Sequence, residues 1–200
     1  MNNMKWVTLQ ANWIGYYTDV VSDELCDKIM DYSNNVKQLQ KSTYSTSTGK
    51  SDRSDERVKM DDGWFRNGEQ YYNEIKDCFM VALKKYQEKH HDCLCQRYTD
   101  FRLNKYSEGG FMSRHIDNIH HSHGQTYGYP QLTALLMLND DYEGGNFLIA
   151  DNEYETAKGS AIVFPSNFMF PHAVKKVEKG TRYSIVTVSY THLRAHETRR

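Results

Sequence analysis

Seven short segments in the second half of the sequence are typical of β-strands, and this series limits the possible fold more than any other feature. Each segment is rich in β-branched or aromatic residues, and turn residues such as Glu108-Gly-Gly separate several of them. The predicted strands cover about residues 96–104, 111–117, 132–138, 146–150, 161–164, 172–175 and 182–189. Helical patterns come before these strands, which predicts an α+β chain whose strands form a double-sheet jelly roll backed by N-terminal helices.

The first half of the sequence is predicted to contain two helices. Ser22 has the residue type and position of a helix N-cap, and its helix is expected to continue to about Asn34. Residues 67–90 carry apolar side chains at spacings of three and four, which predicts a long amphipathic helix that packs on the main sheet. Residues 5–17 are predicted to form one or two strands. The polar stretch 42–63 is too long for a tight connector, so it is predicted to be either disordered or a functional loop.

Composition limits the class of protein. A chain of 200 residues suits one domain, and a formal net charge of -1 predicts no nucleic-acid partner. No apolar run approaches the length that spans a bilayer, so no membrane association is predicted. The four cysteines have no disulfide-framework spacing and the N-terminus does not resemble a signal peptide, so the cytoplasm is the predicted compartment.

One short segment offers an alternative metal site. Residues 90–95, His-His-Asp-Cys-Leu-Cys, contain the ligand types that zinc prefers. We interpret this segment instead as a helix end that leads into a strand, in which Cys93 and Cys95 pack as small apolar residues.

Two histidines and one aspartate form the strongest candidate for a reactive site. His115 and Asp117 are separated by one residue, and side chains at this spacing point to the same side of a strand. His172 lies in a second predicted strand, and two histidines with one carboxylate form the facial triad of non-haem Fe(II) oxygenases. Arg182 follows ten residues later, where its guanidinium could bind the far carboxylate of a dicarboxylate cosubstrate through two contacts. A hairpin is predicted to place His172 and Arg182 on adjacent strands.

Three more histidines follow the first two candidate ligands. His120, His121 and His123 lie in a predicted loop and could compete for the metal. We interpret them as exposed or substrate-facing side chains, because only the His-x-Asp pair has the spacing of the triad.

Four stretches of this chain carry a family resemblance. The sequence resembles, over about residues 98–188, the Fe(II)/2-oxoglutarate-dependent dioxygenases, specifically the prolyl 4-hydroxylase-like branch. The resemblance implies a double-stranded β-helix core, Fe(II) bound by His115, Asp117 and His172, 2-oxoglutarate as cosubstrate, O2 as a reactant and ascorbate as an optional reductant. The matching stretches are LNKYSEGGFMSRHID (103–117), LTALLMLNDDYEGGNFL (132–148), GSAIVFPS (159–166) and PHAV (171–174).

The resemblance also implies roles for residues around the metal. Arg182 is implied to pair with the 5-carboxylate of 2-oxoglutarate, and Tyr106 to line the cosubstrate or substrate pocket. Thr133 and Leu135 are expected to complete this pocket if their strand turns that face inward. Met137 is a departure, because it stands where other family members have a tyrosine that reaches the 5-carboxylate.

By the same resemblance, the chain is expected to hydroxylate a substrate C–H bond and to release succinate and CO2. The expected substrate is a prolyl residue of a peptide or protein, and a free amino acid or another small molecule is the alternative. The nucleic-acid dealkylating branch usually has a second arginine six residues after the first, and Val188 occupies that position here. The rival interpretations are a catalytically silent metal-binding domain and a purely structural β-helix.

Two segments are interpreted from resemblance alone. Residues 189–200, SYTHLRAHETRR, resemble the translation of a sequencing adapter, so they are expected to be a non-native tail after a single domain at 1–188. Arg53-Ser54 stands where the family often has an Arg-Ser pair in a segment that closes over the substrate, and a solvated surface loop is the alternative.

Overall fold

The fold combines helices with antiparallel strands, in a computed structural model that describes residues 9–45, 51–52, 56–93, 95, 97–117 and 130–190. A 3-10 helix (Leu9–Trp13) precedes the α-helices α1 (Asp23–Asn35) and α2 (Tyr72–Lys89). No helix in these ranges is long and apolar enough to cross a membrane. The strands are β1 (Gly15–Tyr17), β2 (Gln40–Lys41), β3 (Tyr44–Ser45), β4 (Ser51–Asp52), β5 (Val58–Lys59), β6 (Asp61–Phe65), β7 (Arg97–Tyr98), β8 (Phe101–Tyr106), β9 (Phe111–His115), β10 (Pro130–Met137), β11 (Glu143–Gly144), β12 (Phe147–Ile149), β13 (Asn152–Tyr154), β14 (Ala161–Pro165), β15 (His172–Val174), β16 (Val177–Lys179) and β17 (Arg182–Tyr190).

Most of these strands belong to two antiparallel sheets. The major sheet has the order β1-β14-β10-β17-β8-β6-β2, with β7 paired to β17, and the minor sheet has the order β13-β12-β15-β9-β5. The sheets face each other across an apolar core, in which Leu135 and Met137 of the major sheet meet Phe147 of the minor sheet. Two facing antiparallel sheets joined by chain crossings form a jelly roll, so the predicted double-stranded β-helix is confirmed.

The helices cover the other face of the major sheet. Phe79 of α2 stacks on Phe101 of β8 with ring centroids 5.2 Å apart, and both side chains are fully buried. α1 begins after Ser22, whose Oγ accepts a hydrogen bond from Leu25 N, so the predicted N-cap is confirmed. This arrangement leaves the inner face of the major sheet to the minor sheet and to the candidate site.

The start of α2 differs from the prediction. Apolar spacing predicts a helix from about residue 67, but α2 begins at Tyr72. Tyr71 has a φ of 66°, in the left-handed region, and a right-handed helix cannot pass through such a residue. Apolar periodicity carries no information on the sign of φ, which explains the difference.

The prediction that residues 42–63 are disordered or form a loop is wrong for the described part of this stretch. Within the described part of this stretch, β3 pairs with β4, β5 pairs with β9 of the minor sheet, and β6 pairs with β8 of the major sheet. The partners of β5 and β6 are distant in sequence, and a strand of two residues has no alternation that a sequence pattern can reveal.

The prediction of strands at 5–17 is wrong in part. β1 is a strand, but Leu9–Trp13 form a 3-10 helix. Trp13 stacks on His90 with centroids 4.7 Å apart, and the Tyr86 hydroxyl donates to the Trp13 carbonyl oxygen at 2.8 Å. Contacts with the end of α2 therefore stabilise a helical turn where local propensity favours a strand.

The prediction of a hairpin between His172 and Arg182 is also wrong. β15 belongs to the minor sheet and β17 to the major sheet, whereas β16, which lies between them in sequence, pairs with β11. Gly180, with a φ of 82°, turns the chain after β16. Because β16 pairs with the distant strand β11, His172 and Arg182 lie on facing sheets instead of on the two arms of one hairpin.

Some assignments from the sequence lie outside the described residues. These are the loop histidines at 120, 121 and 123, the Arg53-Ser54 pair and residues 191–200. Ser189 and Tyr190 are described, and they continue β17 beyond the predicted domain boundary and pair with β10 and β7. The non-native origin of the tail stays a prediction.

Candidate active site

The minor sheet brings the two candidate histidines together. His115 ends β9 and His172 begins β15, and the two residues are direct cross-strand partners. Side chains at directly opposite positions of an antiparallel pair lie on the same face, and the two imidazole rings are 4.2 Å apart between centroids. Both rings point into the space between the sheets.

Asp117 completes a group of three metal-ligand side chains. Its Oδ1 lies 3.8 Å from His115 Nε2, and its Oδ2 lies 3.5 Å from His172 Nε2. One ligand atom from each residue falls within 4.8 Å of the others. β9 ends at His115 rather than at 117, so Asp117 reaches this position from a bend after the strand.

Hydrogen bonds orient both histidine side chains. Nδ1 of His115 is 2.9 Å from the Ser113 carbonyl oxygen, and Nδ1 of His172 is 3.3 Å from the Phe170 carbonyl oxygen. When each Nδ1 carries the ring proton and donates it to the carbonyl oxygen, the lone pair of Nε2 faces Asp117. This tautomer is the one that can bind a metal through Nε2.

The electrostatics of the group favour metal binding. Burial lowers the pKa of His172 to about 4, so its imidazole is neutral near pH 7. Burial alone raises the pKa of Asp117, but His172, His115 and a hydrogen bond from Thr133 outweigh it, and the pKa of this carboxyl lies below its usual value. Neutral imidazoles and an ionised carboxylate are the protonation states that bind a metal.

Arg182 lies on the facing sheet and is fully buried (0% exposed). Its Nη1 donates to Ser184 Oγ at 3.0 Å, its Nη2 contacts Met137 Sδ at 3.3 Å, and its Nε has no partner in the described part of the chain. No carboxylate among the described residues lies within ion-pair distance of the guanidinium. A buried charge without a counter-ion costs several kcal/mol, so this environment fits a carboxylate supplied by a ligand.

The other candidate residues lie on the same inner face. Thr133 donates to Asp117 Oδ2 at 2.5 Å, and Leu135 packs in the core between the sheets. The ring centroid of Tyr106 is 5.4 Å from the guanidinium carbon of Arg182, its direct cross-strand partner. The sequence did not decide which face of β10 points inward. In the structure, Thr133 and Leu135 lie on the face that points towards the site.

Two neighbours of these residues were not found from the sequence. Ser184 contacts Arg182, and Ser166 Oγ lies 2.9 Å from Thr133 Oγ1. Ser184 was within reach of sequence reasoning, because a residue two positions after Arg182 on a strand lies on the same face. Ser166 becomes a neighbour of Thr133 only through the pairing of β10 with β14.

The alternative zinc site at 90–95 does not form in the described part of this segment. The Cys93 and Cys95 Sγ atoms are 3.8 Å apart and pack against the core beside α2. Among the residues that the structure describes, His115, Asp117 and His172 are the group of three or more side chains close enough to share a metal ion.

Two imidazoles and one carboxylate lie between facing sheets, opposite a buried arginine, and they have the donor set of a mononuclear non-haem metal site of the facial-triad type. Residues 101–190 match the model of the 2OG-Fe(II) oxygenase superfamily, and this range contains every candidate site residue named above. Residues 101–190 therefore match a 2OG-Fe(II) oxygenase domain, and this match confirms the sequence resemblance at the level of the superfamily.

Relatives and solved structures agree with this family. A PKHD-type hydroxylase of Stenotrophomonas maltophilia is 31% identical over 116 residues, which are 54% of this chain and 51% of that protein. The chain thus spans about half the length of this curated relative. The crystal structure of a viral collagen prolyl hydroxylase from Paramecium bursaria Chlorella virus-1, in its 2OG complex, aligns with a TM-score of 0.68 at 16% identity, over 90% of this chain and 97% of that one.

A third match is a prolyl hydroxylase of Trichoplax adhaerens in complex with a hypoxia inducible factor peptide. It has a TM-score of 0.68 at 16% identity, and the alignment covers 91% of this chain and 85% of that one. At this identity the likeness shows a shared fold. The fit of Fe(II) and 2-oxoglutarate to this chain rests on its own residues, namely the donor set of the triad and the unpaired Nε of Arg182.

Proposed function

We propose that this protein is an Fe(II)- and 2-oxoglutarate-dependent hydroxylase that releases succinate and CO2. The observation that carries the proposal is the buried Arg182, which has no carboxylate partner in the described residues and lies on the sheet facing the triad. A metal-binding domain without a dicarboxylate cosubstrate has no use for this buried charge.

In this proposal His115, Asp117 and His172 would hold Fe(II). When bound, Fe(II) with 2-oxoglutarate and O2 supplies the oxidation of a C–H bond to a C–OH group. Thr133 keeps the Asp117 carboxylate oriented, and the Phe164 ring, 5.0 Å from that of His172, excludes water from the inner side.

The 5-carboxylate of 2-oxoglutarate is proposed to bind Arg182. Ser184 holds the guanidinium from one side, and Tyr106 covers it with its ring. Met137 supplies a weak sulfur acceptor where a tyrosine hydroxyl stands in other family members, so Arg182 carries most of the carboxylate binding. Leu135 forms part of the apolar wall.

The proposed substrate is a prolyl residue of a peptide or protein. The peptide complex of the Trichoplax structure supports this choice, because that protein has the same fold. A free amino acid or another small molecule is the alternative substrate. We propose ascorbate as a reductant that sustains turnover. We propose the cytoplasm as the compartment, because the cysteines are free thiols.

Anaerobic titration of the purified apoprotein with Fe(II) and then 2-oxoglutarate tests the proposal. We expect the visible metal-to-ligand charge-transfer band in the wild type and its loss in His172→Ala and Arg182→Ala. His91→Ala is the matched control, because His91 is exposed on the turn after α2. Iron binding without the band would mean a silent metal site, and no iron binding would leave a structural β-helix.

A further inference from the structure

A second arginine lies on the inner face of the major sheet and forms an ion pair there. Arg102 of β8 donates through Nε to Asp62 Oδ2 at 2.7 Å, and its Nη2 contacts the same oxygen. Nη2 also donates to Ser42 Oγ at 2.5 Å. The Asp62 side chain is 8% exposed and that of Arg102 is 23% exposed, so the pair is largely but not fully removed from water.

The sheet register places this pair beside the candidate active site. Arg102 is the cross-strand partner of Val186, which is in turn the partner of Leu135. Alternation along β8 puts Arg102 on the same face as Tyr106.

The pair and its neighbour leave polar atoms open. Asp62 Oδ2 accepts both contacts from Arg102, while Asp62 Oδ1 and Arg102 Nη1 have no hydrogen bond in the described part of the chain. Asn104, the cross-strand partner of Asp62, has a buried Oδ1 without a partner among the same residues. A buried polar atom without a partner is costly, and water or a ligand normally satisfies it.

Charge and geometry indicate what such a ligand must offer. The ion pair is neutral overall, so it does not select a strongly anionic group. The pair offers a donor (Arg102 Nη1) and an acceptor (Asp62 Oδ1), and the buried Asn104 Oδ1 is the cross-strand neighbour of Asp62, so the site matches a group that both accepts and donates hydrogen bonds. Both a main-chain amide and the carboxylate and ammonium of an amino acid have this property.

We infer that Arg102 and Asp62, with Asn104, form the polar part of the substrate-binding site and bind the amide or amino-carboxylate group beside the carbon that is hydroxylated. The inference rests on the proposed hydroxylase function and deepens it. Arg102 positions the substrate. Its hydrogen bond to Ser42 also connects β8 to the start of the stretch at 42–63.

The test uses the iron-loaded protein with 2-oxoglutarate and two sets of probes, N-acetyl-Xaa-Pro amides and free L-amino acids. Succinate formed in response to each probe gives kcat/KM. We expect the double variant Arg102→Met/Asp62→Leu to lower kcat/KM at least tenfold for the best probe, while the charge-transfer band shows unchanged affinity for 2-oxoglutarate. The double variant replaces both charges by apolar groups, so no buried charge is left unpaired.

Two further variants separate substrate binding from a structural role. Arg102→Lys keeps the charge but cannot offer a forked set of donors, so it should also lower kcat/KM. Arg66→Met, at an exposed position after β6, should match the wild type. A purely structural ion pair would tolerate lysine and would leave the KM for the probe unchanged.

Each outcome decides a separate question. Succinate formation that is stimulated by the amides identifies a peptide substrate. Succinate formation that is stimulated by free amino acids identifies a free amino acid as the substrate. A double variant with wild-type kcat/KM, a double variant without the band, or a wild type that responds to neither set of probes would overturn this inference. A wild type without the charge-transfer band would overturn the proposed function itself.

Discussion

Thr133 shows how one side chain connects the major sheet to Asp117, the candidate metal ligand that follows β9 of the minor sheet. Its hydroxyl has one proton, which it donates to Asp117 Oδ2, so Ser166 must donate to Thr133 Oγ1. The resulting chain of two hydrogen bonds runs from β10 and the end of β14 to the carboxylate. Its effect is to restrict Asp117, which lies in a bend after β9 and has no strand partner of its own.

We therefore predict that Thr133→Val weakens metal binding without preventing folding. Valine keeps the β-branched shape, whereas the loss of a hydrogen bond to a ligating group typically costs 10- to 100-fold in metal affinity. Anaerobic Fe(II) competition against a chromophoric chelator measures the change. Thr187→Val is the control, because the Thr187 hydroxyl bonds Thr99 away from the triad; equal losses in both variants would contradict the role of Thr133.

At the scale of secondary-structure elements, α2 supports the site from behind. The stacked rings of Phe79 and Phe101 join the helix to β8, whose opposite face carries Arg102 and Tyr106. Loss of this packing would therefore change the sheet that carries half of the candidate site.

Phe79→Ala should lower the free energy of unfolding by about 3–5 kcal/mol, because it leaves a cavity in a fully buried position. Urea unfolding followed by circular dichroism measures this change. Val81→Ala, on the same helix but 46% exposed, should stay within about 0.5 kcal/mol of the wild type. Similar effects of the two substitutions would show that α2 is not anchored by Phe79.

At the scale of the whole molecule, the candidate metal ligands and Arg182 belong to different sheets. In the proposed function, the metal would be held by residues of and next to the minor sheet and the far carboxylate of 2-oxoglutarate by Arg182 of the major sheet, so the two ligands together would join both sheets. Ligands that bind only the folded state stabilise it by about 2.7 kcal/mol at 100 times Kd.

We predict that Mn(II), used as a redox-inert substitute for Fe(II), raises the thermal midpoint and that 2-oxoglutarate raises it further. In Arg182→Met, Mn(II) should still raise the thermal midpoint, but 2-oxoglutarate should cause no further increase, because its carboxylate loses the guanidinium that binds it. Differential scanning calorimetry measures both steps, with Arg66→Met as the control. A full 2-oxoglutarate step in Arg182→Met would mean that the cosubstrate binds elsewhere.

The amino-acid sequence by itself determined the features that depend on neighbours along the chain. The N-cap at Ser22 follows from local hydrogen bonding, and the strands around His172 and Arg182 follow from β-branched and aromatic residues between turns. The candidate metal ligands were also named from residue type and the His-x-Asp spacing, and the structure brings the three side chains together.

Only the tertiary structure decided the features that depend on pairing between distant strands. The separation of His172 and Arg182 onto facing sheets, the inward face of Thr133, and the Arg102–Asp62 pair all arise from strand order and register. A shift of register by one residue moves every side chain of a strand to the other face, and no local pattern records which register long-range packing selects. The candidate ligand set could therefore be named from the chain, whereas the arrangement of the residues around it could not.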